Sequence, residues 1–366
     1  APVAINTNLT LIGDTTGGDF IKNATDVTVS AENSLTLGSS ATSATVGTLS
    51  NLVLEGGSTL SVNNSSVAIS SLTGGERAVI ELGSADTAGV LHADKLSLNG
   101  AEVFLDPAWQ GDDQIADASF LSAAEVTELS GSIAVGQNSV VALGADKATA
   151  VQGFNKLTDL SWGVDGITAA LYLGQAINAT GTKMVVNGVL TTRPDTVSDG
   201  VLIESNGLLM LDQSGIGNNT ALSGATLTLN DGSYIGVVNA TAGTVTLAES
   251  VTNNGANVVT DTPFIVAELS GRNLNLSVSA EGGLGALAST GIQAMTRRAD
   301  TVLAQTIADR TSVDQELAAG TNLWVDVTGE RYEADKLDNG GEFKSDMGYG
   351  AFGADFAVTQ DITAGA

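Results

Sequence analysis

The chain has 366 residues, 41 of them acidic against 14 Lys and Arg, for a formal net charge of −27 and no cysteine. Such a surface repels a phosphate backbone, which excludes nucleic acid as a partner. The missing thiols exclude a disulfide frame, a zinc–thiolate site and thiol chemistry. Hydrophobic residues make up 43%, enough for a buried core and too many for disorder, while aromatics reach only 4%, so the core filling must be small and aliphatic. No apolar run approaches the roughly 18 residues of a membrane-spanning helix. The start, APVAINTNLT, has neither a basic nor an apolar signal region, so an exported protein would be read here after processing.

Residues 1–280 read as a long series of short strands. SLTLGSS from Ser34, NLVLEGGSTLSVNN from Asn51, KLSLNGAEVFLD from Lys95 and ATLTLNDGSYIGVV from Ala225 each alternate apolar and polar residues, then break at a turn pair such as Asn-Gly or Gly-Gly. Strands this short cannot bury an apolar face alone, but stacked repeats of 20-odd residues make one continuous inner column. The pattern predicts an all-β chain built as a right-handed parallel β-helix. Self-similar units and the lack of any Greek-key order favour it over a β-sandwich. Leu35 and Leu37, Leu52 and Leu54, Leu96 and Leu98, and Leu227 and Leu229 are same-parity pairs that should face inward.

The text then changes twice. Over 286–312, Ala288, Ile292, Met295, Ala299, Val302 and Thr306 recur at helical spacing, and this is the one helix the sequence predicts. Its Arg297, Arg298 and Arg310 make it too polar to face lipid, yet a slim rod of that length fits inside a polar barrel lumen. From Leu323 the period returns to two. Leu323, Val325, Val327, Phe352 and Phe356 form an expected lipid-facing set, with Trp324, Asp326, Glu330 and Asp355 expected to face a lumen. Six of the 14 basic residues fall in these last 80 positions, which supports a boundary near 285.

LWVDVTGERYEADKL followed by GYGAFGADFAVTQDITAGA resembles the opening of the translocator barrel of monomeric autotransporters, the pertactin-like group of Gram-negative outer membranes. The resemblance implies a β-helix passenger over 1–182 and a folding-assisting, autochaperone-like segment over 183–280. It further implies a pore-threading linker helix over 281–320, and over 321–366 the first strands of a transmembrane β-barrel that is incomplete here. It also implies type V secretion, the outer membrane and its barrel-assembly machinery as partners, and an extracellular passenger that is an adhesin or aggregation factor for a host or self ligand. A few strands cannot close a barrel, since an open edge cannot sit in lipid.

Little else points to chemistry. His92 is the only histidine, and no Gly-x-Ser-x-Gly elbow accompanies it. Asp112 and Asp113, with Asp106 and Asp117 near, are the one cluster that would suit a β-helix polysaccharide-degrading enzyme, but no basic residue lies between Lys95 and Lys147. Their spacing fits no calcium motif. Gly348, Gly350 and Gly353 match Gly-x-Gly-x-x-Gly inside strand text, where the dinucleotide motif needs a strand, a turn and a helix. The expectation is no catalytic residue, no metal and no cofactor, with the enzyme and an inert surface-structural protein as alternatives.

Overall fold

Period-two alternation in short runs makes strands, and in the computed structural model the strands dominate. The chain is all-β, with only two helices, Lys147–Thr158 and Gln213–Ile216, among the described residues. These residues are 2–14, 24–84, 87–105, 118–158, 167, 169–186, 200–262, 264–279, 321–334, 343–359 and 362–365. Contacts divide the chain into Ala1–Ser277 and Val278–Ala366.

In the first unit nearly all pairing is parallel and forms three ladders. The first begins Val3–Ile5, Asp26–Val29 and Leu49–Leu54, and continues through residues 71–74, 95–98 and 125–129. The second begins Leu9–Leu11, Ser34–Leu37, Thr59–Val62 and Val79–Leu82. The third holds residues 65–69, 89–93 and 119–122, then Ser139–Leu143, Ala169–Leu173, Gly207–Asp212 and Tyr234–Val238. Strands that neighbour in a ladder are typically 20 to 31 positions apart in sequence.

Register aligns the inward residues into columns. Along the second ladder Leu9, Leu35, Leu60, Ile80, Val103, Ile133, Met184, Val201, Leu227 and Val251 stand one behind the next. All eight paired leucines singled out from the sequence are buried, at 1% exposure or less. A buried leucine stabilises by about 1.5–3 kcal/mol, so the column holds the unit together. At the bends, Asn64, Asn138, Asn206 and Asn239 adopt positive φ, which asparagine tolerates better than most residues.

The helix at Lys147–Thr158 is a correction, since the sequence reading placed the only helix at 286–312, a segment outside the described residues. The outer side of the third ladder carries Phe120, Val140, Tyr172, Leu208 and Met210 where other outer faces are polar. Ala150 and Leu157 of the helix cover it and complete a second small core. Asp146 caps the helix by accepting from Thr149 N at 2.8 Å. Gly153 and Gly236 let the two surfaces approach. A Cβ on Gly236 would lie 2.4 Å from Leu157 Cδ1, and one on Gly153 3.1 Å from Tyr172 Cε2.

The ladders do not advance together. The third takes Ser139–Leu143 and Ala169–Leu173 in succession, with the helix between them. The second takes Thr182–Val186 and then Gly200–Ile203 directly after it. The first holds only Ile177–Asn178 over the same stretch, paired to residues 222–223. Among the described residues nothing continues the ladder from 125–129 on that side. Among the described residues the first ladder therefore has one strand fewer than each of its neighbours over this stretch.

Parallel pairing does not run to the end of the unit either. Residues 243–246 pair antiparallel with 273–276, and Thr244 and Thr246 donate their hydroxyls to Asn275 and Asn273.

The second unit is a three-stranded antiparallel sheet of Thr321–Ala334, Phe343–Thr359 and Ile362–Gly365. Leu323 pairs with Ala354, Val325 with Phe352, Asn322 with Asp355 and Asp326 with Ala351. Gly348, Gly350 and Gly353 lie within the Phe343–Thr359 strand, so the strand–turn–helix setting of a dinucleotide site is absent there.

Candidate functional site

Beside this stretch lies a cleft of about 220 Å³, lined among the described residues by Val126, Thr127, Glu128, Leu129, Ser130, Asn178 and Thr180. One wall is residues 125–130, fastened to the preceding strand. Thr127 is the extra residue of a bulge and donates its hydroxyl to Leu96 O at 3.1 Å. Ser130 Oγ donates to Leu98 O at 3.3 Å and accepts from Gly100 N at 3.0 Å. One end of the cleft is closed, because Gly131 N donates to Gly181 O at 3.1 Å and Thr182 Oγ1 donates to Leu129 O at 2.9 Å.

The cleft borders the core. Val27, Leu52, Leu72 and Leu96 precede Val126 in its inward column, and each is at most 1% exposed. Val126 itself is only partly buried. Its outward neighbours are acidic: Glu125 lies 3.4 Å from Lys95 Nζ, and Glu128 accepts from Ser97 Oγ at 3.3 Å. On the far wall Asn178 Oδ1 accepts from Thr180 N and Oγ1, and both side chains are exposed.

Two further polar clusters lie among the described residues. His92 Nδ1 lies 2.9 Å from Ser122 Oγ and Nε2 lies 3.4 Å from Asp94 Oδ1. The residue types are those of a hydrolytic triad, but Ser122 is fully buried and no substrate reaches its hydroxyl. Asp146 stands near His92; the hydrogen bonds from the Thr149 hydroxyl and N–H, with the histidine as a lesser influence, hold its carboxyl below the ordinary range.

Asp212 caps Gln213–Ile216 and accepts from Ser214 N at 2.9 Å and Asn239 Nδ2 at 3.0 Å, with Tyr172 Oη at 3.4 Å. Burial would raise its pKa, but the hydrogen bonds from Asn239, Ser214 and Gly215 outweigh it and leave the carboxyl below its ordinary value. Burial, then the Asp212 charge, pushes the Tyr172 hydroxyl up. Lys156 reaches Asn239 Oδ1 at 3.0 Å, which ties the helix to the same network.

Asp106, Asp112, Asp113 and Asp117 lie outside the described residues, as do Arg297, Arg298 and Arg310. Leu323, Trp324, Val325, Asp326, Val327 and Glu330 fall in one long strand and Phe352, Asp355 and Phe356 in its partner. Phe352 is 85% exposed. Among the described residues no three His, Asp or Glu side chains converge as a metal site, and no helix is long and apolar enough to cross a membrane. The cleft residues were not singled out from the sequence. The signal for them was spacing: Leu129 and Thr182 meet across 53 positions, far more than the usual interval.

Comparison with protein-family models, with curated proteins and with solved structures gave no match.

Proposed function

We propose that this chain is part of a self-exported surface protein: an adhesin or aggregation factor, carried on a right-handed parallel β-helix and delivered by a C-terminal outer-membrane barrel. The observation that carries this reading is the order of the two units. A ladder unit of parallel strands is followed by an antiparallel sheet whose first two strands run for 14 and 17 residues. A tilted strand needs roughly 9–11 residues to cross a bilayer, so both are long enough.

Pairing of Val325 with Phe352 and of Asn322 with Asp355 aligns apolar with apolar and polar with polar positions across the two strands, as a lipid face and a lumen face require. In this reading residues 183–280 assist passenger folding, and 281–320 supply the helix that threads the pore. Export is driven by strand stacking, since each added strand makes back-sliding unfavourable. The passenger works outside the cell through its polar surface, without a catalytic step. The assembly machinery of the outer membrane and a host or self surface ligand are its partners.

The test is cell-to-cell aggregation by Gram-negative cells displaying the protein. Aggregation that soluble Ala1–Ser277 unit competes away supports an adhesive passenger; unchanged dispersion under display overturns it. Glycan hydrolysis by wild type that Asp112→Ala abolishes would favour the enzyme instead.

A further inference from the structure

We propose that Lys156 and Asn239 join through their side chains as an isopeptide amide, which staples the Lys147–Thr158 helix to the third ladder, with Asp212 carrying the proton. Lys156 Nζ donates to Asn239 Oδ1 at 3.0 Å, and Asn239 Nδ2 donates to Asp212 Oδ1 at 3.0 Å. A carboxylate only accepts, so the Asn239 amide cannot be turned round. One amide thus has an amine at its carbonyl and a base at its leaving nitrogen, the two groups that transamidation needs.

The electrophile is held in place. Asn239 has a positive φ and donates its N–H to Asp261 Oδ2 at 2.6 Å, while Thr241 N donates to Gln213 Oε1 at 2.7 Å. Asp212 is fixed in turn by Ser214 N at 2.9 Å and by the Tyr172 hydroxyl at 3.4 Å. The hydrogen bonds that hold its carboxyl below the ordinary range keep it ionised, as a base must be. Lys156 stands in the last turn of its helix, and its four-carbon stem lets Nζ swing from the carbonyl oxygen to the face of the carbon.

The step balances without oxidant or cofactor. The neutral Lys156 amine attacks Asn239 Cγ and forms the Nζ–Cγ bond, which puts both nitrogens on one carbon beside Asp212. The carboxylate takes a proton from Nζ and returns it to Nδ2. The Cγ–Nδ2 bond then breaks and ammonia leaves, and its escape to solvent makes the reaction one-way. The product ties positions 83 apart in the chain, a span over which a covalent link strongly restricts the unfolded state. The crosslink owes nothing to the surface-display reading and is tested apart from it.

The full-length protein is held at mildly alkaline pH, where a lysine amine is more often neutral, and followed by intact mass and by peptide mapping. The expected result is a mass lower than the sequence by one ammonia, with a branched peptide that joins Lys156 to Asn239. Lys156→Arg, which keeps the charge, and Asn239→Ala should each abolish the branched peptide, and Asp212→Ala should slow its formation about tenfold or more. An unchanged mass without a branched peptide, in protein that retains native hydrogen exchange over 147–158, overturns the proposal. So does ammonia loss that persists in Lys156→Arg, which would be succinimide formation at an asparagine. Equal crosslinking in Asp212→Ala would overturn the role given to that carboxylate.

Discussion

Docking of the Lys147–Thr158 helix on the third ladder turns on one contact, and a double-mutant cycle measures it. Leu157 is 1% exposed, and a methyl group on Gly236 would stand 2.4 Å from its Cδ1 and 3.3 Å from Leu208 Cδ1. Gly236→Ala therefore overpacks the interface and should cost about 1–3 kcal/mol. Leu157→Ala leaves a cavity there and should cost about 2–5 kcal/mol. In the double variant the new methyl group occupies space that the leucine vacated, so its cost should fall below the sum by about 1 kcal/mol or more. Urea unfolding gives the three values, and hydrogen exchange over 147–158 shows whether the loss is local to the helix. Additivity within about 0.5 kcal/mol would refute the close approach of Gly236 and Leu157 as the contact that seats the helix.

Other perturbations probe other levels. Leu98→Asp puts an unpaired charge at a position with no exposure and should cost several kcal/mol, read as a lower urea midpoint. Asp146 and Asp212 both have folded pKa values below the ordinary 3.8, so the unfolded chain binds protons more readily. Their stabilisation is present above that value and is lost as pH falls through the lower folded one. A urea midpoint followed downward from about pH 6 should drop in the acid range, less steeply in Asp212→Asn. The export reading predicts that Arg297→Glu with Arg298→Glu stalls surface display and leaves the urea midpoint of the Ala1–Ser277 unit unchanged; normal display would remove the pore-threading role.

Much of the first unit is legible because alternation has one physical solution at this strand length. Same-parity leucines on strands of four to six residues must face a shared interior, and Leu35, Leu60 and Leu227 do. The helix was missed although Asp146, Ala150, Phe154 and Leu157 carry a cap and a helical stripe. Its apolar face is short, interrupted by Gly153, and meaningful only against the outer apolar side of the third ladder, which tertiary stacking creates. The cleft was hidden for a related reason. Its walls, residues 125–130 on one side and Asn178 with Thr180 on the other, are brought together only by how the ladders advance, which no local pattern records. Asp212 gave no sign of its role, since its partners Tyr172 and Asn239 come from distant rows.

Protease shaving of intact Gram-negative cells expressing the protein tests the surface-display claim most directly. If the passenger is outside and the antiparallel sheet belongs to a barrel, trypsin releases peptides from the Ala1–Ser277 unit, while Thr321–Ala334 and Phe343–Thr359 remain with the outer-membrane fraction. Full protection of residues 1–277 in intact cells, with the whole chain recovered from the cytosol after lysis, would contradict it.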